Sequence, residues 1–119
     1  MTNQHIEITD EFVKKKVSTG RQYILVHLIK GPKYESDPES ADEIQKAHLR
    51  FLFKLKEEGK LLLVGPLMEK TDLRGIAIYN IQEPEEVKKI ASEDPAVQAG
   101  LFTIEIYRWF GIPGDGLPL

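Results

Sequence analysis

A chain of 119 residues is the size of one ordinary domain; its 41% hydrophobic content suffices for a core and its 29% charged content for a solvated surface. A net charge of -3 argues against nucleic acid as the main partner, because phosphate binding needs a basic excess. There is no cysteine, which excludes disulfides and thiolate metal sites, and no stretch approaches the ~20 apolar residues that span a membrane.

Residues 1 to 21 read as a polar extension. The opening MTNQHIEITDEF lacks an apolar secretion core, so a cytoplasmic protein is expected. Asp10 is placed to cap a short helix carrying Phe12, Val13 and Val17, although terminal segments of this kind are often loosely held. Residues 22 to 30, QYILVHLIK, are rich in strand formers. Tyr23, Leu25, His27 and Ile29 share one face of that strand; Ile24, Val26, Leu28 and Lys30 share the other. GPKYESDPES, residues 31 to 40, is turn-rich.

A helix follows. Ser40-Ala-Asp-Glu43 matches a capping box, and Asp37-Pro38 offers an earlier start. Ile44, His48, Phe51, Leu52 and Leu55 recur at spacings of three and four, and Gly59 is the stop signal. KLLLV, residues 60 to 64, is a second strand ended by Gly65-Pro66. GIAIYNI, residues 75 to 81, is a third. Pro84 opens a second helix with Val87, Ile90 and Ala91 inside, and Asp94-Pro95 begins a further helical turn closed near Gly100. LFTIEIYRW, residues 101 to 109, alternates: Phe102, Ile104 and Ile106 point one way, and Thr103, Glu105, Tyr107 and Trp109 the other. The tail from 111 to 119 is too rich in glycine and proline to be regular.

Strand, helix, strand, strand, helix, strand, with right-handed crossovers, predicts a ferredoxin-like α+β fold, βαββαβ, with an antiparallel four-stranded sheet and both helices on one face. The second face would carry Tyr23, Leu25, His27, Thr103, Tyr107 and Trp109. An amphipathic face with large rings usually meets a partner, and a homodimer packed sheet to sheet is expected.

Two residues stand out for chemistry. His48 lies on the apolar stripe of its helix, so it is either a packed core residue or a base, since a neutral imidazole accepts a proton near neutral pH. Asp94, followed by proline, has the pattern of a helix cap. His27 and Glu105 fall on the open face, where interface packing and charge pairing are expected of them. The histidines at 5, 27 and 48 have no ligand spacing, so no metal is expected. No glycine-rich phosphate loop or dinucleotide fingerprint occurs, so no cofactor is expected.

The stretch HLRFLFKLKEEGKLLLVGPL, then EDPAVQAGLFTIEIYRW, resembles the YCII-related (YciI-like) family of dimeric α+β barrel proteins. The shared pattern is a helical histidine, a glycine before the second strand, Gly-Pro after it, an Asp-Pro pair, a glycine a few residues on and a closing strand ending in Trp. The resemblance implies a ferredoxin-like domain over residues 22 to 110, flanked by the extension 1 to 21 and the tail 111 to 119. It also implies a homodimer and an active site whose histidine and aspartate fall on His48 and Asp94. In one branch of the family chloride is eliminated from a chlorinated muconolactone, and the fold is similar to that of muconolactone isomerases. Lyase-like or isomerase-like proton transfer on a small carbonyl or lactone-type molecule is therefore expected, with Gly65 and Pro66 leaving room for substrate. The alternative is a ligand-binding or interaction module that uses the same pocket without turnover. If His48 is a base, His48→Ala is expected to leave the fold intact.

Overall fold

The computed structural model of the chain describes residues 6–34 and 38–119, and for residues 38–40 the backbone alone. Its first element, α1 (Asp10–Ser18), is capped by Thr9, whose backbone is extended and whose hydroxyl oxygen accepts the Phe12 N–H at 3.1 Å. Asp10 is already helical and is therefore not the cap. Nothing in α1 is buried, and Phe12, Val13 and Val17 stay 42% to 50% exposed. The radius of gyration, 17.5 Å, exceeds the ~13–14 Å of a compact domain this long, as a helix standing off the body requires.

The body is built on β1 (Arg21–Lys30), the long central strand. It pairs antiparallel with β3 (Leu73–Tyr79) on one side and with β4 (Phe102–Gly111) on the other. β2 (Leu61–Pro66) pairs antiparallel with β3 and lies at the edge, giving the order β2-β3-β1-β4. This is the ferredoxin-like arrangement expected from the alternation of elements. Gly65 and Pro66 belong to β2 rather than ending it. Proline is tolerated there because it occupies the last position of an edge strand, where a missing N–H costs no ladder bond.

Both long helices cover one sheet face. α2 (Pro38–Glu57) starts two residues ahead of Ser40, so the capping box does not set its beginning; the other candidate cap, Asp37, lies outside the described residues. Its end is as the glycine signal requires. Gly59 takes φ +75°, its N–H donates to the Lys56 carbonyl, and the Lys60 N–H donates to that of Leu55. α3 (Pro84–Ser92) buries Val87 and Ala91. They meet Ile24, Val26, Leu52, Leu55 and Leu61 in one core, where full burial of each large aliphatic side chain stabilises by about 1.5–3 kcal/mol. The short α4 (Pro95–Gln98) leads into β4. It is tied to the loop after β1: the Gly31 N–H donates to the Leu101 carbonyl and the Lys33 N–H to that of Gly100. A Cβ on Gly31 would stand 2.4 Å from the Gly100 oxygen, so glycine is needed for this approach.

The opposite sheet face is open in the single chain. Leu62, Ile76, Tyr107 and Trp109 are each 40% to 43% exposed there. His27 packs on Tyr107 with ring centroids 4.8 Å apart, and Glu105 accepts the Tyr107 hydroxyl proton at 2.7 Å and lies 3.9 Å from His27. Among the described residues no helix is long and apolar enough to cross a membrane.

Candidate active site

His48 projects from α2 beneath the helix layer and is 5% exposed. Asp94, between α3 and α4, is 2% exposed. Their side chains meet: His48 Nδ1 and Asp94 Oδ2 are 2.6 Å apart. The second oxygen, Oδ1, accepts the Ala96 N–H at 2.9 Å and caps α4. The cap and the imidazole contact therefore coexist on one carboxylate, each using its own oxygen. This pairing decides the tautomer. A carboxylate only accepts, so Nδ1 carries the proton and Nε2 is left as the basic nitrogen. Among the described residues no buried side-chain nitrogen or oxygen is unpaired, as the cost of burying polar groups demands.

The imidazole lines a cavity of about 220 Å³ between α2 and the sheet, below the usual size of drug-binding pockets and suited to a single ring. Leu49, Leu52, Phe53 and Val64 supply much of its apolar wall, and Phe102 packs on the His48 ring with centroids 5.5 Å apart. Gly65 and Pro66 line the same cavity, so all four residues singled out in the sequence belong to one place. His27 and Glu105 lie on the other sheet face, away from it.

Gln45, Arg74 and Gly75 also line the cavity and were not expected there. Arg74 owes its place to a bulge. Leu28 pairs with Gly75 while Ile29 pairs with Leu73, so β3 holds one residue more than its partner at this point, and Arg74 is the extra one. Simple alternation sets neighbours on opposite faces and hides such a residue; Gly75 beside it was the available signal, since glycine inside a strand often marks a bulge or a close backbone approach. A Cβ on Gly75 would stand 3.0 Å from the Gly65 carbonyl oxygen.

Tyr79, on β3, is buried next to the pair. Burial pushes its hydroxyl above the ordinary value of 10.0, and the charge of Asp94 adds to the effect. The folded state thus holds this proton more tightly than the unfolded chain does. Its contribution is fully present below pH 10 and is lost as pH rises beyond it. Tyr79→Phe is expected to lose less stability than wild type in alkaline unfolding followed by circular dichroism. Identical alkaline curves for the two proteins would refute this.

Among the described residues no group of three or more His, Cys, Asp or Glu side chains comes together as a metal site. Residues 21–110 match the family model of the YCII-related domain. No curated protein matches the chain. Among solved structures, the 5-chloro-2-hydroxyhydroquinone dehydrochlorinase TftG from Burkholderia phenoliruptrix AC1100, in complex with 2,5-dihydroxybenzoquinone, is similar at 23% identity and a TM-score of 0.54. The match covers 75% of this chain and 93% of that one, and at this identity it shows the fold.

Proposed function

The chain belongs to the YCII-related family, and on that premise we propose that it is a cofactor-independent enzyme that moves a proton on a small carbonyl or lactone-type molecule. The observation that carries this reading is the buried 2.6 Å contact of His48 with Asp94 in the wall of a one-ring cavity. His48 Nε2 takes a proton from the carbon next to the carbonyl. The C–H electron pair moves onto the carbonyl oxygen as an enolate. Asp94 accepts the Nδ1 hydrogen bond throughout, which orients the ring and stabilises the imidazolium that forms. Return of the proton to another carbon gives an isomerase. Departure of a leaving group with its electron pair from the β carbon gives a lyase. That a structural neighbour is a dehydrochlorinase with a quinone bound supports small cyclic oxygenated molecules as the first to try.

The test is deuterium exchange into the acidic C–H positions of small cyclic ketones and butenolides, followed by proton NMR, with wild type and His48→Gln side by side. Exchange that depends on His48 supports the enzyme. Saturable binding of 2,5-dihydroxybenzoquinone with no exchange in any compound would instead make the chain a ligand-binding module.

We also infer that two chains pair through the open sheet face. Leu62, Ile76, Tyr107 and Trp109 leave it partly exposed and apolar, and a face of this kind is normally covered. Light scattering at micromolar concentration is expected to give twice the mass of one chain, and Trp109→Glu to give single chains. A wild-type monomer would refute the pairing.

A further inference from the structure

Among the described residues that line the cavity, Arg74 is the one acid- or base-bearing residue besides His48. Its surroundings fix half of its guanidinium. Nη1 donates to the Glu69 carbonyl at 3.0 Å and to the Thr71 carbonyl at 3.1 Å, which uses both of its hydrogens. Its Cζ stands 5.7 Å from the centre of the Tyr34 ring. Tyr34 packs on Phe102 at 6.0 Å, and Phe102 packs on His48 at 5.5 Å. One run of tilted ring contacts thus joins the arginine to the imidazole. Among the described residues Arg74 has no ion pair with a carboxylate, and neither Nε nor Nη2 donates a hydrogen bond. That unused edge is the two-pronged fork that matches a pair of anionic oxygens.

We propose that Arg74 makes this cavity selective for a planar, single-ring organic anion, a carboxylate or a delocalised enolate, held on the Nε–Nη2 edge. This rests on reading His48 as the base and specifies its substrate class. The bulge at Arg74 has a use in these terms, since it turns a strand arginine toward the cavity. The charge also suits the chemistry. Taking a proton from a carbonyl compound puts negative charge on oxygen, and a cation held beside an apolar cavity wall stabilises that charge.

Benzoate and its neutral isostere benzamide are the probes, titrated calorimetrically into wild type, Arg74→Met, Arg74→Lys and His48→Gln. Wild type is expected to prefer benzoate by about ten-fold or more, as a charge-assisted hydrogen bond would give. Arg74→Met is expected to bind both probes alike, Arg74→Lys to keep part of the preference, and His48→Gln to keep all of it. Benzoate should also shift the Arg74 Nε–H resonance of the wild-type chain, a readout that needs no variant to fold. Equal affinities in wild type, binding of neither probe at millimolar concentration, or an unmoved Arg74 resonance would overturn the proposal. These outcomes are read from binding and not from deuterium exchange, so a chain that exchanges without anion selectivity and a chain that selects anions without exchange are told apart.

Discussion

Asp94→Asn is expected to keep the fold and to lower proton exchange by something like 10⁴-fold, the cost of holding a catalytic imidazole in its wrong tautomer. The carboxylate makes two contacts, Oδ1 with the Ala96 N–H and Oδ2 with His48 Nδ1. An asparagine oxygen still accepts the Ala96 proton and caps α4, so the helical turn survives. Its amide nitrogen then faces His48, and an amide N–H donates where the carboxylate accepted. Nδ1 must become the acceptor, the ring proton moves to Nε2, and the basic nitrogen is lost from the cavity. Circular dichroism with a thermal melt reports the fold, and the exchange assay reports the base. A well-folded Asp94→Asn chain with near-wild-type exchange would remove Asp94 from the mechanism. Asp94→Ala is a harsher change, because it removes the cap as well as the partner of His48.

His48→Ala is expected to lower exchange by about 10²–10⁴-fold, the usual contribution of a positioned acid-base group. It is also expected to destabilise the fold by about 3–5 kcal/mol, because removing one member of a buried pair leaves the other uncompensated. Here Asp94 is the member left behind, at 2% exposure. That is a fifth or more of the ~5–15 kcal/mol by which an ordinary domain is stable. The expectation from sequence that this alanine variant keeps its fold intact therefore gives way to the burial of Asp94. His48→Gln separates the two effects. Its side-chain N–H can still donate to Oδ2, so stability is expected to recover in urea unfolding while exchange stays lost. Recovery of both would mean that His48 only packs.

Much of this protein was legible in the sequence because its elements are strongly periodic. The three-and-four spacing from Ile44 to Leu55 places His48 under its helix, and the alternation of β1 separates Ile24 and Val26 from Tyr23 and His27. Gly59 stopped α2 because a left-handed residue is cheapest as glycine, a property of the chain alone. Local chemistry also marked Asp94-Pro95 as a helix entry. Family resemblance, not periodicity, suggested that His48 and Asp94 belong together. They are 46 residues apart, and no local rule measures such a distance.

Tertiary structure alone decided the rest. It set which carboxylate oxygen caps and which holds the imidazole, and hence which ring nitrogen is basic. It also set Arg74 in the cavity wall, because the bulge arises from how β3 meets β1 and not from the residues of β3 by themselves. Gly65-Pro66 extends β2 instead of ending it for a related reason: a strand runs as far as the partner that arrives from elsewhere. Sequence periodicity dictates the face on which a side chain lies, whereas pairing between distant segments dictates what it meets there.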